Sequence, residues 1–267
     1  MTAGTVDVSV KTFENTGMRK LSRQQIKFIA IIMMTLNHIA DVFIPRSTVL
    51  GVLFTMCGYV TMPVMAYFLV HGYEYTHSKM EYLRRLVLFA LISEFPYFLV
   101  FRITGMISIF SIMTTLVLCF LVVHVHHVMN NKFLKGFFIT ILVIASITCD
   151  WGLIGPVMAC LFLWAGGNHK KTIIAFCISA LMFELVAYMT FMYIPEVKMM
   201  AIFSFIPVLF AGFLIAFCYD EKKKSVYPEF TGKFFYWYYP VHLIVIWLVF
   251  QTQPLWKGIA ALFSGLF

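Results

Sequence analysis

Charge is scarce in this chain. Of its 267 residues only 12% are Asp, Glu, Lys or Arg, against 61% hydrophobic, whereas soluble domains carry about 25% charged residues. With a mean hydropathy of +0.89, a soluble globular fold is excluded, because a domain of this size lacks the interior to hide so much apolar surface. The first 24 residues hold no apolar core after the initiator Met, so no cleavable signal peptide is expected and the first apolar stretch directs its own insertion. The six cysteines, Cys57, Cys119, Cys149, Cys160, Cys177 and Cys218, fall singly. Without paired ligand spacing they read as buried thiols, and no metal is expected. The chain also lacks a soluble domain, a low-complexity tract, an internal repeat and any base-stacking or groove-reading module. Its net charge of +8 therefore does not point to nucleic acid.

Long apolar runs are what the sequence has. A spanning helix needs about 20 mostly apolar residues, and nine stretches qualify: 25–44, 50–71, 83–103, 106–129, 133–149, 151–167, 172–194, 199–218 and 234–251. The fifth and sixth are short, and a last piece, 255–267, is a re-entrant, interfacial or tenth helix. The expected fold is all-α, a polytopic helix bundle with nine or ten transmembrane helices in the lipid bilayer of the cell membrane. It divides into a flexible cytoplasmic segment, 1–24, and an integral membrane domain, 25–267. With the N-terminus in the cytoplasm, sixteen lysines and arginines fall on inner loops and edges and four (Arg46, Arg102, Lys198, Lys257) on outer ones. That bias holds at every alternate loop, which supports both the orientation and the number of spans.

Ionisable groups at membrane depth are costly and are functional candidates by default. Lys27 and His38 lie in the first span; eleven helical residues turn through roughly 1,100°, so both leave one face about 16 Å apart along the axis. Asp41, three residues after His38, shares that face and is placed to hold the imidazole tautomer of a general base. The alternatives are a structural histidine and a solvated acid. The third span opens on Arg84 and Arg85, which either snorkel to headgroups or hold the phosphates of a cytoplasmic donor through their planar forks. Glu94, deeper in that span, is either half of a buried pair or a working acid. In the ninth span Pro240 precedes His242 by two residues, and a proline that breaks backbone hydrogen bonds is a common device beside a polar cavity. Tyr239 is the aromatic expected to turn inward. His124, His126 and His127 read as a solvated boundary, whereas His71, Glu74 and His77 could line a donor entrance. Asp150 opens a tight outer turn with Trp151 and Gly152, and Glu184 is either structural or cavity-lining.

Taken in order, KFIAIIMMTLNHIADVF, MPVMAYFLVHGYEYTHSKMEYLRRLVLFALISEFPYFL, DWGLIGPVMACLF and FFYWYYPVHLIVIW resemble the TraX family, whose namesake is the conjugative pilin acetylase. The family belongs with a wider group of polytopic membrane acyltransferases marked by a basic residue, ten intervening residues and a histidine on the first helix; Lys27 and His38 match it. The resemblance covers about residues 25–250. It implies transfer of an acyl group, typically acetyl from acetyl-CoA, with His38 as the essential residue, Lys27 as its cationic partner and Arg84 or Arg85 as the basic pair after the second span. Asn37 stands where the family leads one to expect Asp, which turns attention to Asp41 as the acid.

The reaction so implied begins with a cytoplasmic acetyl-CoA whose phosphates sit on the basic groups. His38 then deprotonates an amine or hydroxyl of a peptide, pilin-like or glycan acceptor, Lys27 or a nearby donor steadies the oxyanion, and Glu94 and His242 complete a shared cavity. An acetyl-histidine intermediate is an alternative route. Two other classes fit the same polar groups. One is a proton-coupled transporter relaying through His38, Glu94 and His242, disfavoured by the missing repeat; the other is a non-catalytic membrane assembly partner.

Overall fold

The computed structural model describes residues 21–104, 108–223 and 228–264, without the side chains of Phe101, 228–231 and 255–264. Each apolar stretch becomes a helix: α1 Arg23–Phe43, α2 Val49–Tyr75, α3 Lys79–Thr104, α4 Ile112–Val128, α5 Lys132–Ala145, α6 Ile154–Ala165, α7 His169–Phe191, α8 Met200–Cys218 and α9 Pro228–Ser264. Among the described residues there is no strand, only two isolated bridges. All but α4, α5 and α6 are long and apolar enough to cross a membrane. The fold is therefore an all-α membrane bundle. The piece after residue 254 forms no separate element, because α9 runs on through Pro254 to Ser264.

Local chemistry sets the ends. Ser22 caps α1 through a reciprocal box in which Gln25 N donates to Ser22 Oγ (3.3 Å) and Ser22 N donates to Gln25 Oε1 (2.9 Å), satisfying two otherwise orphaned amides. Leu21 N donates to the Cys218 carbonyl (3.0 Å) and Asp220 N to the Leu21 carbonyl (2.9 Å). These bonds tie the start of α1 to the end of α8; residues 1–20 of the expected N-terminal segment lie outside the described part. Lys79 closes the far end of α2 by donating to the carbonyls of Tyr73 and Thr76, where a cation meets the negative end of the helix dipole.

The core is a continuous apolar cluster built around Ile26, Ala30, Phe68, Tyr97, Phe120, Phe162, Phe176 and Leu243. α1 packs against α2 and α9, α9 against α3, α4 against α6, and α7 against α8. Large apolar side chains also face outward. On α3, Leu88, Leu91, Phe95 and Phe98 are all exposed at three- and four-residue spacing, a stripe suited to lipid.

Candidate functional site

The inward face of α1 organises the site. Lys27, Ile31, Met34 and His38 recur at intervals of four, three and four, so one side of the helix presents all of them. Ile31, Met34 and His38 are buried. The first three line one cavity and His38 lines another.

The larger cavity, about 390 Å³, opens at the N-terminal end of α1 and falls within the usual size of ligand pockets, about 300–1,000 Å³. Its outer part carries three cations, Arg23, Lys27 and Arg85, with Tyr75, Tyr82 and Tyr236. Its inner part is apolar, walled by Ile31, Met34, Met65, Met113 and Leu116, and it ends at Tyr238 and Tyr239. Arg23 Nη2 donates to the Phe68 carbonyl (2.6 Å) with its guanidinium 5.3 Å from the Phe68 ring centre. This approach requires Gly72, because a Cβ there would lie 2.6 Å from Arg23 Nη2. Lys27 Nζ sits 5.4 Å from the Phe235 ring centre and 6.0 Å from that of Phe68. Arg85 lies 3.7 Å from Glu81; among the described residues neither Arg23 nor Lys27 has an acidic partner. Two cations without acidic partners, with Arg85 beside them, over an apolar throat suit a ligand with an anionic head and an apolar tail.

His38 meets α9 at the inner end of this throat. Its ring stands edge to face on His242, with centroids 5.1 Å apart, and 6.4 Å from Tyr239. His242 Nδ1 lies 2.9 Å from the Tyr238 carbonyl. A carbonyl only accepts, so Nδ1 carries the proton and the Nε2 lone pair is left free. Nε2 is buried and has no hydrogen-bond partner among the described residues. Tyr238 stacks on His242 at 5.2 Å, and its hydroxyl lies 2.6 Å from Thr35 Oγ1. Thr35 gives its own proton to the Ile31 carbonyl (2.8 Å), so the Tyr238 hydroxyl is the donor of that pair.

On its other side His38 lines a smaller pocket of about 90 Å³ at the far end of α1, with Asp41, Arg46, Tyr59, Asp150 and Trp151. The turn that delivers Asp150 and Trp151 is strained, with Trp151 at φ 59° and Leu153 at φ 62°, values costly for residues with a Cβ. Burial pushes the Asp150 carboxyl up to about 7; the Asp41 charge adds to the rise and a hydrogen bond from Trp151 opposes it.

The sequence-derived site thus divides. Lys27 and Arg85 share the large cavity, and His38 and Asp41 share the small one, while Glu94, Arg84 and His242 line neither. Asp41 does not orient His38, for it accepts from Arg46 Nη2 at 2.8 Å. Glu94 caps α4, accepting from Ser111 N (3.1 Å), Ser111 Oγ (2.9 Å) and Thr114 Oγ1 (2.5 Å), a carboxylate at the positive end of a helix. Arg84 projects outward with its side chain 75% exposed. Asn37 donates to the Thr55 carbonyl at 2.9 Å, tying α1 to α2. Glu184 accepts from Phe205 N (2.9 Å), where α8 is interrupted. His124 bonds Tyr73 (2.8 Å). Among the described residues no group of three or more His, Cys, Asp or Glu could hold a metal ion. Arg23 is the group sequence reasoning missed; it read only as a topology charge, although it lies four residues before Lys27 on the same face.

The TraX protein family model matches residues 22–250 of the chain. A protein of Dichelobacter nodosus described as a "probable fimbrial assembly protein" is 27% identical over 234 residues, which cover 83% of this chain and 93% of that protein. No solved structure matches the chain.

Proposed function

The chain belongs to the TraX family, and from that premise we propose that it is a membrane-embedded acyltransferase, moving acetyl from acetyl-CoA to an amine or hydroxyl of a fimbrial or pilin-like subunit. The observation that carries this reading is the single face of α1 that leads from the cation-lined cavity, past Ile31 and Met34, to His38. In it, the donor enters from the cytoplasm, taken as the side of the N-terminus, and its phosphates meet Arg23, Lys27 and Arg85. The apolar throat takes the pantetheine arm, and the thioester lies near His38. Three turns of helix separate Lys27 from His38, about 16 Å, so Lys27 anchors the anionic head and is too far away to stabilise an oxyanion beside His38.

The acceptor reaches His38 from the small pocket. As its nitrogen or oxygen attacks the thioester carbonyl, His38 takes the proton. The tetrahedral intermediate then collapses, the C–S bond breaks, and the CoA thiolate recovers the proton from the imidazolium. The relative's description as a fimbrial assembly protein supports a fimbrial acceptor; it equally favours a non-catalytic assembly role for the same fold. One experiment separates them. Purified protein with acetyl-CoA and a fimbrial subunit should release free thiol and add about 42 Da per acetyl group, the mass of C₂H₂O. Binding of the subunit without thiol release favours assembly alone.

A further inference from the structure

A second cavity opens at the same end of the bundle on the opposite face of α2, and its charge is reversed. It measures about 240 Å³ and is lined by Tyr67, His71 and Glu74 of α2, with His169, Tyr219 and Glu221 among its other walls. At 100° per residue, positions 67, 71 and 74 point roughly 160° away from Met65, Leu69 and Gly72, which line the cation cavity. Two carboxylates face this space, and among the described residues no lysine or arginine lines it. Tyr75 borders both cavities and donates its hydroxyl to Glu221 Oε1 at 2.8 Å.

Tyr67 marks the space as a site. The residue is 7% exposed, its ring packs 4.3 Å from His71, and it lines the cavity with a hydroxyl that makes no side-chain hydrogen bond among the described residues. The opposite wall is the turn between α6 and α7, where Gly166 and Gly167 take φ 53° and 74° and where a Cβ added to Gly167 would lie 3.7 Å from His71 Cε1.

We propose that this cavity binds an organic cation, a primary ammonium group on a short chain. Carboxylates accept strong charge-assisted hydrogen bonds from such a group, and tyrosine rings attract it through their faces. The Tyr67 hydroxyl, on the cavity wall, supplies one more acceptor. A metal ion is the poorer occupant, since among the described residues no three of the lining's His and Glu side chains gather closely enough to hold one. The ammonium can come from a free amine or from a lysine side chain of a polypeptide, and the cavity recognises the chemistry they share. This inference rests on the cavity alone and stands apart from the acyl-transfer reading.

The test uses the full chain purified in detergent, titrated at low salt with n-butylammonium chloride, Nα-acetyl-lysine amide, 1-butanol and Mg²⁺. Saturable binding of an ammonium compound is expected, and none by 1-butanol. The combined Glu74→Gln and Glu221→Gln variant should bind at least about tenfold more weakly, and Tyr67→Phe a few-fold more weakly. Both glutamates are exposed, so an unchanged melting temperature verifies that the double variant is folded. Tighter binding of the lysine derivative identifies a polypeptide source, and equal binding a free amine; either supports the proposal. Absence of saturable ammonium binding to the wild-type protein, equal affinity in the folded double variant, or binding of Mg²⁺ alone would overturn it.

Discussion

His38 on α1 and His242 on α9 meet edge to face with their ring centres 5.1 Å apart, although 203 residues separate them. Because Nδ1 of His242 is committed to the Tyr238 carbonyl, its Nε2 is a fixed acceptor next to the proposed base. His242→Ala is therefore expected to slow acyl transfer by about 10- to 100-fold while donor affinity stays within a few-fold of wild type. Single-turnover rates with parallel donor titration check this. Unchanged turnover would make His242 a packing residue only.

Arg84 and Arg85 are neighbours in sequence but not in role. Arg85 lines the cation cavity and Arg84 points outward. Arg85→Ala and Arg23→Ala should each weaken donor binding by about tenfold, the order of one lost hydrogen bond to a charged group, and saturating donor should restore most of the rate. Arg84→Ala should leave donor affinity unchanged. Equal losses at 84 and 85 would contradict the cavity assignment.

Glu94 predicts a stability effect without a binding effect. Glu94→Ala removes the cap of α4 and leaves Ser111 N unpaired, at a cost of about 1–2 kcal/mol, whereas donor affinity should be unaltered. Thermal unfolding and donor titration on the same preparation separate the two. A stable variant that fails to bind donor would return Glu94 to the site.

The helices were legible because each apolar run is a local signal, and Lys27 and His38 were legible because helical periodicity alone puts them on one face. The pairing of α1 with α9 was not, since it depends on packing between segments with no shared pattern. Asp41 shows a second limit. Spacing offers it to His38, yet Arg46, five residues on in the following loop, reaches it first, and loop geometry leaves no periodic trace. Arg23 shows a third, for a cation at a span's edge looks the same in sequence whether it faces headgroups or a cavity.

Asp150 predicts a pH dependence. Its folded pKa is raised to about 7 from an ordinary value near 3.9. The folded state therefore holds this proton more tightly than the unfolded one, a contribution fully present below about pH 4 and lost as pH rises through about 7. Asp150→Asn, which mimics the neutral form, should raise the melting temperature at pH 8.5 and leave it nearly unchanged at pH 4. Equal effects at both values would mean that the carboxyl titrates normally.

The most direct measurement is acyl transfer per folded molecule by His38→Ala, with acetyl-CoA affinity determined on the same sample. If His38 is the base, the variant is a folded protein that binds donor normally and transfers at least about 100-fold more slowly, the low end of general-base catalysis. A structural histidine predicts instead a small stability loss, since hydrogen bonds within membranes average only about 0.6 kcal/mol. Near-normal transfer by the alanine variant would contradict a catalytic role for His38.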